Sequence, residues 1–301
     1  MNAPLSRAAQ RVDDAALRAW PLPLPDHEGD KETRGRVVIV AGSREVPGAA
    51  ILSARAALRA GAGKVLLATG ESAALAVAIA VPELRVLGLR ETSEGGFDPA
   101  CAEPLAKFAG RADALLIGPG MQDEDATCAL AQALRERCER VPMVLDATAM
   151  AAALRQLNEC EPVLITPHAG EMAHLSGDTK QSVLADPHAT ACNAARRWNA
   201  VVALKGATTF IARPDGQTWA HDAGNAGLAT AGSGDVLAGL IAGFVARGAP
   251  LEQAAAWGAA VHARAGLRLA RRVGSLGYLA GELAAEVPAV LDELSGTTAP
   301  A

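Results

Sequence analysis

Aromatic residues are scarce in this chain: four Phe, four Trp and one Tyr make up 3% of 301 residues. With alanine and glycine abundant, that favours close helix–sheet packing over a β-sandwich. Positive charge is not in excess, since a net charge of −5 and a pI near 5.7 leave no basic face for nucleic acid. The five cysteines, Cys101, Cys128, Cys138, Cys160 and Cys192, form no CxxC pair and have no histidine at a zinc-finger interval. They read as reduced, mostly buried thiols of a cytoplasmic protein. No uninterrupted apolar run approaches ~18 residues, and no basic segment leads into an apolar core at the N-terminus. Neither secretion nor membrane spanning is expected. Internal repeats and linkers are also absent. The expected organisation is one domain over 36–295, an N-terminal arm over 1–35 and a short tail over 296–301. The tract Pro21-Leu22-Pro23-Leu24-Pro25-Asp26 in the arm reads as an entry loop.

Short apolar runs alternate with helical patterns from Arg36 onward. Strands are expected at Val37–Ala41, Lys64–Ala68, Ala114–Ile117, Met143–Leu145, Val163–Ile165 and Val201–Leu204. Helices are expected at Ala49–Ala60, Ala126–Arg137 and His188–Trp198. Unbroken apolar strands between helices indicate an α/β fold with a mostly parallel sheet covered on both faces. Phe210–Arg213 and Gln217–Ala220, joined by Pro214-Asp215-Gly216, read as a hairpin. From Gly234 to about Leu294 the pattern is almost wholly helical.

The richest stretch runs from His221 to Ala246. Small residues around Gly232-Ser233-Gly234-Asp235 run into Val236, Leu237, Leu240, Ile241 and Phe244 at helical spacing, placing a helix start near Gly234 or Asp235. A glycine-rich turn at a helix N-terminus is an anion site. Asp235 there is either the N-cap or a general base for phosphoryl transfer, and the second reading is favoured by the small residues that let a ligand approach.

Four loops follow strand ends, where open α/β sheets bind ligands. Gly42-Ser43 to Gly48-Ala49-Ala50 lacks Walker spacing and is as readily a plain turn as a ligand contact. Gly118-Pro119-Gly120-Met121 lacks the third glycine of a dinucleotide fingerprint. In Thr166-Pro167-His168-Ala169-Gly170-Glu171, a helix starts near Ala169 or Gly170; His168 reads as functional and Glu171 as structural. In Lys205-Gly206-Ala207-Thr208-Thr209, a rare lysine ends an apolar strand and calls for a negative partner, phosphate being the natural one; the weaker reading has it snorkel to solvent. Asp146, at another strand end, either positions a metal or water or caps the next helix.

In order and spacing, these motifs together with Gly224-Asn225 resemble the ADP-dependent NAD(P)H-hydrate dehydratases over about residues 30 to 290. The resemblance implies a ribokinase-like fold in its stand-alone form, without the epimerase domain often found ahead of it. It also implies dehydration of the (6S) hydrate of NADH or NADPH, driven by ADP and releasing AMP and phosphate. Lys205, Gly206, Ala207, Thr208, Thr209, Gly232, Ser233 and Gly234 would hold the nucleotide. Ala49, Gly120, His168 and Asp235 would surround the hydrate, with Asp235 as base. Magnesium would accompany the phosphates, and no protein cluster of metal ligands is evident. A separate epimerase would act in concert, and a homo-oligomer, commonly a tetramer, is implied. The Thr-Pro-His form looks like the ADP-using branch; ATP-using relatives typically carry Asn at position 168. The chain departs from the family pattern at Met121-Gln122, Thr148 and Ala169. A small-molecule kinase of the same fold, or a nucleotide sensor without turnover, would use the same anion site.

Overall fold

The structure, a computed structural model, describes residues 8–24, 34–154, 163–222 and 225–296. Pro25-Asp26, Cys160, Gly224 and the tail beyond Gly296 lie outside the described residues. Ten strands join one sheet: β1 Gln10–Arg11, β2 Arg36–Val40, β3 Lys64–Gly70, β4 Arg85–Leu89, β5 Ala114–Ile117, β6 Met143–Leu145, β7 Val163–Ile165, β8 Ala200–Leu204, β9 Thr208–Ala212 and β10 Thr218–Asp222. Their spatial order is β1-β10-β9-β8-β7-β6-β5-β2-β3-β4. From β8 to β4 every pairing is parallel, while β9 runs antiparallel to both of its neighbours, β8 and β10.

Alternation along the buried strands sends side chains to two cores. Val37, Ile39, Leu67, Leu116, Val144 and Leu164 face one. Val38, Val40, Leu115, Ile117, Leu145 and Ile165 face the other. Residues of α1 Asp14–Ala19, α2 Pro47–Arg59 and α3 Glu71–Ala80 pack in the first core. The second takes α4 Ala102–Ala109, α5 Glu124–Arg137, α6 Ala169–Ser176, α7 Lys180–Ala185 and α8 Pro187–Trp198. The chain then returns to the first face with α9 Ser233–Ala246, α10 Leu251–Arg272 and α11 Ala280–Ser295. With both faces covered, the central strands need no polar side, which is why they read as unbroken apolar runs.

Helices α2 and α9 pack very closely. A Cβ on Gly239 would lie 2.1 Å from the Ser53 carbonyl oxygen, and one on Gly243 would lie 2.6 Å from the Ala60 Cβ. The N-terminal segment is built into the fold. Gln10–Arg11 pairs with β10, Trp20 stacks on Trp219 at 5.5 Å, and Gln253 and Trp257 donate hydrogen bonds to the Trp20 carbonyl. Gln253 also donates to the carbonyl of Pro21, so the start of the proline-rich tract is held as an entry loop. Among the described residues no helix is long and apolar enough to cross a membrane.

Candidate active site

The chain runs outward from β2 through β3 to β4, then returns to the far side of β2 with β5. The switch in strand order therefore falls between β2 and β5, and the loops after these strands meet there: the Gly42 N–H donates to the Pro119 carbonyl at 2.7 Å. Gly120 has φ +67, and a Cβ on it would lie 2.4 Å from the Ala49 Cβ. Only glycine fits, so Ala49 and Gly120 are brought together as one small-residue wall. Gln122 ties this wall to the β2 loop, its amide donating to Glu45 at 3.0 Å. Thr148 donates to the Met121 carbonyl, and Ala169 is the buried first residue of α6.

Helix α9 begins at Ser233, one to two residues earlier than the apolar spacing suggests. Gly232 is its N-cap, in a left-handed conformation at φ +86, and a Cβ on it would lie 2.5 Å from Leu52 Cδ1, so only glycine fits there. Asp235 is therefore the third residue of the helix and does not cap it. Among the described residues no side chain caps this N-terminus, and with the Ser233 N–H tied to the Thr230 carbonyl, the Gly234 and Asp235 N–H groups are the ones a ligand can take.

Lys205 stands beside that turn. A Cβ on Gly234 would lie 3.5 Å from its Nζ, which sits 3.5 Å from Asp146 Oδ1 and 3.6 Å from Glu171 Oε2. The negative partner expected for this lysine was phosphate; in the structure two carboxylates of the protein pair with it, and the side chain is only 19% exposed, so the snorkelling reading fails. Burial alone would lower the lysine's pKa, but Asp146 and Glu171 together outweigh it and hold the pKa above its ordinary value. Asp146 is buried and accepts a 2.5 Å hydrogen bond from the Thr166 hydroxyl. Behind Asp146 the chain turns sharply at Ala147, φ +48, and a Cβ on Gly118 would lie 1.8 Å from the Asp146 carbonyl oxygen. That contact joins the Gly118–Gly120 turn to the charged cluster. Asp235 feels the same cluster: burial and the negative field of Asp146 push its carboxyl up to about 6, against the pull of Lys205, with Glu171 adding to the rise.

Expected site residues differ in where they fall. His168 caps α6, its Nδ1 accepting from the Gly170 and Glu171 N–H groups while Glu171 accepts from the His168 N–H at 2.7 Å. This reciprocal box fixes the turn and leaves the ring exposed. Glu171 therefore does more than suit the helix dipole, since the carboxylate that closes the box also reaches Lys205. Gly206 and Ala207 form an exposed bend after Lys205. Thr208 donates to Asp222 and Thr209 is buried in β9, so neither threonine joins the cluster. Sequence reasoning missed His262, buried on α10 against Ser233; the only signal was a lone imidazole in an alanine-rich helix.

A family model described as NAD(P)H-hydrate dehydratase matches residues 37–289. The chain is 50% identical over 283 residues to the ADP-dependent (S)-NAD(P)H-hydrate dehydratase of Xanthomonas campestris, covering 94% of this chain and 96% of that protein. It also spans about half the length of several bifunctional NAD(P)H-hydrate repair enzymes. Among solved structures, the ADP/ATP-dependent NAD(P)H-hydrate dehydratase of Bacillus subtilis, co-crystallised with ATP and Mg2+, superposes with a TM-score of 0.81 at 28% identity, covering 96% of this chain and all of that one. A ribokinase-like superfamily protein of Enterococcus faecalis superposes with a TM-score of 0.80 at 24% identity over 98% of this chain and 99% of that one, which gives the fold.

Proposed function

The chain belongs to the NAD(P)H-hydrate dehydratase family, and on that premise we propose how its residues divide the work. The reaction is the ADP-dependent dehydration of the (S) hydrates of NADH and NADPH, a repair of nicotinamide nucleotides by a hydro-lyase. The first turn of α9, with Lys205 and Gly206 beside it, receives the phosphates of ADP. Ala49, Gly120 and His168 border the hydrate. Asp235 takes the proton of the C6 hydroxyl as that oxygen attacks the β-phosphorus, and AMP departs. The C6–O bond then breaks with the ring nitrogen lone pair assisting, phosphate leaves, and loss of the C5 proton restores the double bond. Phosphate is a far better leaving group than hydroxide, which is what the nucleotide supplies.

The observation that carries this reading is the uncapped first turn of α9 with Asp235 on it, its carboxyl poised at about 6 beside a paired lysine. Among the described residues no group of three or more histidines, cysteines and carboxylates is arranged to hold a metal. Magnesium would sit on the nucleotide's own phosphates, where it neutralises charge. A separate epimerase, a homotetramer and a cytoplasmic location complete the proposal.

Asp235→Asn is the test. Asparagine keeps the shape but cannot accept the proton, so turnover of chemically hydrated NADH with ADP should fall by about 10²–10⁴-fold while ADP affinity is kept. A near-normal rate would remove Asp235 from the mechanism. A phosphorylated alcohol released intact would mean a kinase, and nucleotide binding without any turnover in the unmodified protein would mean a sensor.

A further inference from the structure

His262 has no part in the steps above, yet it is a buried titratable group lying directly beneath the phosphate turn. Its Nε2 is 2.9 Å from the Ser233 hydroxyl oxygen and 3.0 Å from the Ser233 carbonyl oxygen. A carbonyl can only accept, so Nε2 carries the ring proton. Burial, helped by the Lys205 charge and only partly opposed by the Ser233 carbonyl, pushes the ring down to about 4, so it is neutral with its one N–H committed to Ser233. Ser233 lies between Gly232 and Gly234, neither of which has a side chain to brace it. Its N–H is tied back to the Thr230 carbonyl at 3.2 Å. Within Gly232-Ser233-Gly234, only Ser233 offers a side chain that a neighbouring element can grip, and α10 grips it through His262.

We propose that His262 is a positioning residue for nucleotide binding. By holding the Ser233 carbonyl and hydroxyl from below, it fixes the peptide that presents the Gly234 N–H group to the phosphate. The inference rests on the reading of the α9 turn as the phosphate site and deepens it. Preorganised N–H donors meet a phosphate without rearranging, whereas loosened ones must first be ordered at a cost to affinity.

The experiment compares His262→Leu, His262→Gln and wild type, measuring ADP affinity by calorimetry without hydrate, then KM for ADP and for hydrate separately. His262→Leu should weaken ADP binding about tenfold or more and raise the KM for ADP, with the hydrate KM moving less than about twofold. His262→Gln, whose amide nitrogen reaches to about the place of Nε2, should restore most of the affinity. Unchanged ADP affinity in His262→Leu, equal losses in both variants, or parallel rises in both KM values would overturn the proposal. Should His262→Leu fail to fold, His262→Gln against His262→Asn decides, because the asparagine amide falls one methylene short of Ser233. Glutamine must then bind ADP several-fold tighter, and equal affinities overturn the proposal. The ADP titrations do not depend on turnover, so failure of the dehydratase reading would show separately, as wild type that binds ADP and leaves the hydrate untouched.

Discussion

At Asp235 two demands on one carboxylate oppose each other. Its pKa is raised from 3.8 to about 6 by burial, by Asp146 and by Glu171 against Lys205. A carboxyl held higher in the fold than in the unfolded chain favours folding fully below pH 3.8, and that benefit is lost as pH rises through 6. At neutral pH the ionised group therefore costs stability, and Asp235→Asn should raise stability by about 1–2 kcal/mol after allowance for solvent screening. The same variant loses activity, and paired urea melts and rate measurements on one preparation check both. The acid limb of the kcat/KM profile should fall near pH 6 in wild type. Lys205→Met removes the one cation that lowers this pKa and should move the limb up, whereas Asp146→Asn should move it down. Lys205→Ala should also weaken ADP binding by about 1.5–3 kcal/mol in calorimetry. His262 titrates with the opposite sign: lowered from 6.5 to about 4, it leaves stability intact above pH 6.5 and erodes it down to pH 4. At about 1.4 kcal/mol for each pH unit the full loss is about 3 kcal/mol, and His262→Gln should flatten that part of the stability–pH curve.

Among the elements, the close approach of α2 and α9 is the most exacting. Gly239 faces backbone, the Ser53 carbonyl, so an added methyl can be accommodated only by parting the helices. Gly239→Ala should cost about 3 kcal/mol in urea denaturation and lower kcat/KM as well, because α9 carries the phosphate turn. A variant as stable and active as wild type would mean that the helices slide freely. Buried elements were the legible ones. The runs Ala114–Ile117, Met143–Leu145 and Val163–Ile165 are strands as read, because strands covered on both faces tolerate no polar position. The edge strand β4 was missed because Arg85-Val86-Leu87-Gly88-Leu89 mixes exposed and half-buried positions and reads as loop. The two-residue β1 exists only through its pairing with β10, which no local pattern announces. The cap reading of Asp235, the less favoured one, stayed open because the apolar spacing does not reveal that Gly232, in a left-handed conformation, starts the helix earlier.

On the scale of the molecule, the site draws on segments that meet only in the finished sheet. Asp146 and Lys205 are 59 residues apart, and β6, β7 and β8 place them side by side. The individual motifs were therefore legible, whereas the carboxylates gripping Lys205 and the histidine under Ser233 were not. A site assembled from distant segments ties ligand binding to global stability: ADP at about 100 times its Kd should add about 2.7 kcal/mol, read as a rise in Tm by calorimetry. Lys205→Ala should shrink that rise at the same ADP concentration.

The grip on Lys205 also bears on how fast the nucleotide arrives. One ammonium faces Asp146, Glu171 and Asp235, and the whole chain carries −5, so the mouth of the site is a weak repeller of the anion it receives. Opposite charges attract less in salt; like charges repel less. Raising ionic strength from about 0.01 M to about 0.1 M shortens the screening length from about 30 Å to about 10 Å. Stopped-flow association of ADP should accelerate over that range where most phosphate-binding proteins slow, with the dissociation rate left to the short-range contacts of the turn.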